Sequence, residues 1–386
     1  SRFRIGSVSK LFTVAVLARL HETERIDLVA PVRRYVPSFP DKGTEIILLQ
    51  LAGHLGGIRH YKDDDEFLNR KRYESATEAL TIFQHDDLLH TPGERYSYSS
   101  WGYVLLSAAI EQAVGENFVT VVGNEVLVPL RMESTEVDDS RKIIPHRARH
   151  YDFDGDRVVN SAWVNLSDRW ASGGYLSTTE DLVRFGSAQL GETWLQPETK
   201  SKWFTSQRTH SGEETGVGVG WRIDKDAWGR TLYHHAGSIA GGRAILAMFP
   251  ESGVAVALAG NLGRAPFGKP EAQTLGDLFI SHQVNPGELP WRPDGIWDVT
   301  RTTSKGSITG VMMLTTENER VTGTIKMGDG PEMPIAWTLH QGNRLSVAAV
   351  DPKGQLEILW LRGSGDSIEG SSWRMHGDFR ATRHGG

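Results

Sequence analysis

The chain has 386 residues, 39% hydrophobic and 23% charged, an ordinary balance for a globular protein. Its net charge of −6 and the lack of a dense Lys/Arg run argue against nucleic acid as a partner, and no apolar run is long enough to cross a bilayer. The absence of cysteine excludes thiol catalysis, disulfides and zinc–thiolate sites, and the length fits two domains or one large domain with an appendage.

Leu11, Val14, Ala15, Ala18 and Leu20 recur at helical spacing, so a helix starts at or just before Ser7. Ser7 then lies near a helix N-terminus, where unpaired N–H groups favour developing negative charge. Lys10 follows one turn later on the same face, within reach of the Ser7 hydroxyl. A hydroxyl becomes a nucleophile when a nearby base takes its proton, and a desolvated lysine can do so. Alone, Ser-x-x-Lys is short enough to be a helix start followed by a surface lysine. Only six residues precede Ser7, so the sequence reads as a fragment, with any targeting segment upstream of it.

Ile26 to Val36 reads as an amphipathic connector, and Ile46 to Leu51 as a helix entering the loop Gly53-His54-Leu55-Gly56-Gly57. Lys62 to Arg72 is highly charged and reads as a solvated insertion without chemistry. Ser75 to Phe83 is a modest helix, Thr91-Pro92-Gly93 a turn, and Gly102 to Val114 a strong helix with Gly115 as C-cap. Just before that helix, Tyr96-Ser97-Tyr98-Ser99-Ser100 can aim a phenol into a cleft. Beside a cationic lysine a tyrosine's pKa falls, which would make it a general base; spacing alone does not separate Tyr96 from Tyr98 in that role.

Asp152 to Asp156 lacks the glutamate that would close a calcium loop, so a hairpin turn between His150–Tyr151 and Arg157–Val159 is predicted. Ser177-Thr178-Thr179-Glu180 is a capping box opening the helix Asp181 to Leu190. The period then becomes strand-like over Val217–Ile223, Arg230–His235, Arg243–Phe249 and Val254–Gly260, before Glu271 to Phe279 returns to helix. Short turns between those runs predict an antiparallel meander, and helices on such a sheet make an α+β domain. His235-Ala236-Gly237-Ser238 ends one strand, where small residues let a substrate backbone approach, and the Ser238 N–H could join that of Ser7 in an oxyanion hole. His-x-Gly also occurs at His54 and His384, away from the meander.

A boundary near Asn285 to Pro290 divides the chain into domains 1–284 and 291–386. Beyond it about eight short alternating runs predict a small closed all-β barrel. The clearest are Ile296–Arg301, Ile308–Thr315, Val321–Met327, Pro334–Leu339, Leu345–Val350, Leu356–Leu361 and Ser367–Met375. Gly295-Ile296-Trp297 resembles the opening of a lipocalin, although a structural or docking module without a ligand is the preferred reading of the barrel.

Taken in order, Ser7-x-x-Lys10, the Tyr98-Ser99-Ser100 loop and His235-x-Gly237 resemble the signature of the penicillin-recognising serine hydrolases, class C β-lactamase branch. Phe3 to Lys10, His54 to Tyr61, Tyr98 to Tyr103 and Trp170 to Thr178 are similar to mitochondrial serine β-lactamase-like members. The resemblance runs from Ser1 to about Phe279, and the barrel resembles, more loosely, those of some D-aminopeptidase-like members. It implies the β-lactamase/transpeptidase fold, with Ser7 as nucleophile, Lys10 and Tyr98 as the base pair, and Ser100, His235 and Gly237 lining the cleft. It implies no metal and no organic cofactor.

Three departures qualify it. Ser100 stands where the family often has Asn, which shortens a contact to substrate. His235-Ala236-Gly237 replaces Lys-Thr-Gly and loses a fixed positive charge. The family's first helix and strands would precede Ser7, and without them a sheet edge would be uncovered. The first two point away from penicillin hydrolysis and toward a serine hydrolase forming an acyl-enzyme with a small peptide or amide. An esterase and a non-catalytic binding protein are the alternatives. A homo-oligomer stays open, and a periplasmic or secreted setting is favoured.

Overall fold

The apolar run after Ser7 folds as a 3₁₀ turn, Gly6–Val8, leading into an α-helix, Ser9–Glu22. Ser9 through Ala18 and Leu20 are all buried, and a helix that is apolar on every side can only sit inside a core. That core appears in a computed structural model of the chain, which describes residues 1–155, 157–265, 267–280, 291–304, 306–317, 320–354, 356–372 and 377–385. Two units are formed, Ser1–Lys225 with Arg230–Ala272, and Asp226–Gly229 with Gln273–Gly386.

In the first unit, the helix Ser100–Val114 packs against Ser9–Glu22 and is buried over most of its length. Ser99 caps its start, accepting the Gly102 N–H at 2.8 Å, and Gly115 ends it in the left-handed conformation, φ 77°. The strands Arg222–Lys225, Thr231–Ile239, Gly242–Phe249 and Val254–Gly260 pair antiparallel in chain order, as the predicted meander requires. The first begins at Arg222 instead of Val217. Gly216 and Gly220 take positive φ, and a Cβ on Gly218 would lie 2.1 Å from the Trp203 carbonyl oxygen, so 216–221 is a loop pressed on that tryptophan.

The helix Thr179–Leu190 covers the last two strands. It starts two residues earlier than predicted, and its cap is Thr178 instead of Ser177, accepting the Asp181 N–H at 3.2 Å. The hairpin is present as Tyr151–Asp154 and Arg157–Asn160. A second small sheet sets Tyr175–Ser177 between Phe3–Arg4 and Glu136–Val137. Strands of two or three residues are too short to leave a period in the sequence.

The second unit carries a closed barrel of eight antiparallel strands, running from Gly295–Thr303 to Gly377–Arg383, whose last strand pairs with its first. The final strand is not among the seven clearest runs read from the sequence. Trp297, Met312, Leu345, Leu361 and Phe379 fill its interior. Trp297 donates its indole N–H to the Pro293 carbonyl at 2.8 Å, and Arg383 stacks 4.5 Å from its ring. The expected boundary at Asn285 to Pro290 lies outside the described residues, as does the end of the run reaching Met375.

Candidate active site

The turn bearing Ser7 is wedged against the strand Thr231–Ile239. Gly6 takes φ +50°, and a Cβ there would lie 2.8 Å from the Ser238 nitrogen. On the facing strand, a Cβ on Gly237 would lie 1.8 Å from the Ile5 carbonyl oxygen and 2.9 Å from the Ser7 nitrogen. Only two glycines allow this approach, and it brings the backbones of Ser7 and Ser238 side by side. Ser9 locks the turn by donating to the Gly6 carbonyl at 2.7 Å.

One helical turn on, Lys10 is fully buried. Its Nζ is 3.2 Å from Ser7 Oγ and 3.1 Å from Ser100 Oγ, and it donates to the Ser172 carbonyl at 2.7 Å. Burial, reinforced by the positive charges of Arg169 and Arg222, holds this amine well below the usual lysine range. Desolvation therefore favours the neutral amine, which can accept a proton.

Tyr98 shares a hydrogen bond with Ser7, and its ring lies 4.9 Å from Lys10 Nζ. The expectation of a lowered tyrosine pKa is overturned. Burial pushes the phenol well above its ordinary value, outweighing the opposing hydrogen bond from Ser7. The expectation needed a cationic lysine, and the same burial disfavours that cation. Tyr96 is separated from Tyr98 by its partner: it accepts from Arg222 at 3.4 Å.

His235 is buried, donates from Nδ1 to the Ala236 carbonyl at 2.8 Å, and stands 6.3 Å from Tyr98 between ring centroids. Burial, then Lys10 and Arg222, keep it well below its ordinary pKa, so position 235 carries no fixed charge. His384 pairs with Asp298 in the barrel unit. Ser7, Lys10, Tyr98, Ser100, His235, Gly237 and Ser238 thus come together from three separate stretches.

Four residues escaped the sequence reading. Arg222 stands 5.9 Å from the Tyr98 ring, its neighbour Asp224 being engaged by His234 at 2.8 Å and Lys269 at 2.9 Å. Its place in a strand run was visible, but not its facing the cleft. Arg169 is fully buried against Asp168 at 2.6 Å, behind Lys10. His54 and His60 flank the Tyr98 ring at 4.4 and 5.3 Å. The charged insertion also needs correction. Glu66 holds Arg59 through two contacts of 2.8 Å and accepts the Trp101 indole N–H at 3.2 Å, while Phe67 and Leu68 wall a cavity of 530 Å³ beside Ser238. Phe153, Val159 and Ile239 continue that wall.

The family model described as Beta-lactamase matches residues 1–277. The chain belongs to the Beta-lactamase family. Among relatives in this serine hydrolase family, human mitochondrial serine beta-lactamase-like protein LACTB is 28% identical over 342 residues, covering 64% of this chain and 62% of that protein. Penicillin-binding protein 4* of Bacillus subtilis is 26% identical, covering 62% and 56%. The chain therefore spans less than two thirds of the length of these relatives. A D-amino acid amidase from Ochrobactrum anthropi superposes with a TM-score of 0.60 at 25% identity, over 68% of this chain and 77% of that one. An octameric penicillin-binding protein homologue from Pyrococcus abyssi, 20% identical with a TM-score of 0.60, shares the fold over 98% and 88%. The β-lactamase fold thus occupies the first two thirds of the chain, with the barrel after it. Among the described residues no acidic or histidine cluster could hold a metal, and no helix is long and apolar enough to cross a membrane.

Proposed function

We propose that this chain hydrolyses amide or peptide bonds through a covalent acyl-enzyme on Ser7. The observation that carries this reading is a fully buried lysine amine 3.2 Å from the hydroxyl of a half-buried serine. Lys10 takes the Ser7 proton as Ser7 Oγ attacks the carbonyl carbon, and the N–H groups of Ser7 and Ser238 hold the oxyanion. The proton then reaches the leaving nitrogen through the Tyr98 hydroxyl, which gives one proton and receives another. Tyr98 therefore works as a protonated relay, which its raised pKa favours. Water attacks the ester, the same groups return its proton to Ser7, and the free acid departs.

The amide preference rests on the likeness to an amidase at 25% identity. The cavity beside Ser238 offers Phe67, Leu68, Phe153, Val159 and Ile239 to the apolar part of an acyl group and Asp64, Asp152, Asn160 and Arg264 to its polar part, and Arg222 suits a carboxylate on the leaving group. In this reading hydrolysis belongs to residues 1–284, with 291–386 an accessory barrel. Intact-mass spectrometry after fluorophosphonate treatment tests it, with Ser7→Ala as control. A single adduct absent from the variant is expected, followed by turnover of D-amino acid amides. No adduct on folded protein would refute catalysis and leave a binding protein, and turnover of esters alone would make it an esterase.

A further inference from the structure

The loop that carries Tyr98 is held by two histidines. Ser99 and Ser100 are the cap and first residue of a helix, whose opening N–H groups lack partners within the helix itself. His54 Nδ1 accepts the Ser99 N–H at 3.1 Å, and His60 Nδ1 accepts the Ser100 N–H at 3.2 Å. The His54 carbonyl accepts the Ser97 N–H at 2.8 Å, so one residue grips both sides of Tyr98. The His54 ring also lies 4.4 Å from the Tyr98 ring at 38°, while His60 meets Tyr98 at 87°.

The supporting loop is itself under constraint. His54 takes φ +62°, an uncommon conformation for a residue with a Cβ. Gly57, at φ +73°, closes the turn so tightly that a Cβ there would lie 2.4 Å from the His90 carbonyl oxygen. That turn brings residues 54 and 60 to the same strip of backbone.

We propose that His54 and His60 are positioning residues, whose neutral Nδ1 atoms accept consecutive N–H groups and so aim Tyr98 and Ser100 at Ser7 and Lys10. This rests on the serine hydrolase reading. An imidazolium carries a proton on both nitrogens and cannot accept, so each clamp exists only while its ring is neutral. The surroundings enforce that state. His60 is flanked by Lys10, Arg169, Arg59 and His54, with Glu66 opposing, Tyr61 tilted over its ring at 35° and Tyr98 meeting it edge-on; burial first, then Lys10, Arg169 and Arg59, lower its pKa to about 4. His54 is held well below its ordinary value by burial and by Lys10, His235, Arg222 and His60.

The test compares His60→Phe, which keeps the bulk but cannot accept, with His60→Asn, whose carbonyl can. The rate of fluorophosphonate labelling of Ser7 and ester kcat and KM are the readouts. His60→Phe should lose ten- to a hundredfold in labelling rate and kcat, with KM within about threefold, and His60→Asn should regain most of it. Below about pH 5 the wild type should lose rate more steeply than His60→Asn, which has no ring to protonate. Should His60→Phe fail to fold, that difference in acid slope decides, and equal slopes refute the inference. Wild-type rates in a folded His60→Phe refute it alone. Absence of labelling in the wild type overturns the hydrolase reading, and the inference with it.

Discussion

Replacing Gly237 by alanine should disable the oxyanion hole without touching any side chain of the site. The new Cβ would sit 1.8 Å from the Ile5 carbonyl oxygen and 2.9 Å from both the Ile5 carbonyl carbon and the Ser7 nitrogen. Real Cβ contacts stay above 3.0 Å, so the strand and the Ser7 turn must separate by about 1.2 Å. All three obstructing atoms are backbone, so no side-chain rotation relieves the clash. The N–H groups of Ser7 and Ser238 lie on opposite sides of that gap, and oxyanion donors work within about 2.7–3.1 Å. Opening the gap by about 1.2 Å removes one donor, which costs roughly 10²–10³-fold in kcat, or about 2.7–4 kcal/mol. Single-turnover acylation by an activated ester reads the effect, with circular dichroism to confirm folding. Gly123→Ala, whose Cβ would meet nothing within 4 Å, serves as control. Acylation by folded Gly237→Ala within threefold of wild type would show that these two N–H groups do not form the hole.

Lys10→Met keeps most of the buried volume and removes the base, so acylation should fall by about 10²–10⁴, with no rescue at alkaline pH; full activity in a folded variant would remove Lys10 from the mechanism. Arg222→Leu should raise KM about tenfold or more for substrates whose leaving group bears a carboxylate, and leave neutral esters unchanged. An equal loss on both would assign Arg222 to structure. Acid should destabilise the fold. His60 and His150 are lowered from 6.5 to about 4 and about 3, so between pH 6.5 and those values the unfolded chain binds more protons than the folded one. Their contribution is complete above pH 6.5 and fades as pH falls toward 4 and then 3. Urea midpoints at pH 7.5, 5.5 and 4.5 should decline in that order, and a flat or rising series would contradict the buried-histidine account.

Features set by local spacing are legible in the amino-acid order. Ser7 and Lys10 are three residues apart across a 3₁₀ turn that runs into a helix, so their meeting follows from local helical geometry alone. Period-two alternation likewise marks the meander and seven barrel strands, because side-chain direction in a strand depends only on parity. Even Gly237 and Ser238 are readable, since small residues at a strand end suggest close backbone approach. The charge state of Tyr98 is not legible, because desolvation depends on what the rest of the chain packs around a phenol. Nor is the role of Arg222, Arg169, His54 or His60. Each reaches the site from a segment whose own pattern reads as strand, loop or surface, and the register between distant segments brings them to Tyr98 and Lys10. The Lys62 to Arg72 stretch shows the same divide, since its charge predicts solvent while its fold makes Glu66 the anchor of Arg59 and Phe67 a wall of the cleft. The sequence alone determined which residues could do the chemistry, and tertiary packing decided their protonation, their aim and the walls around them.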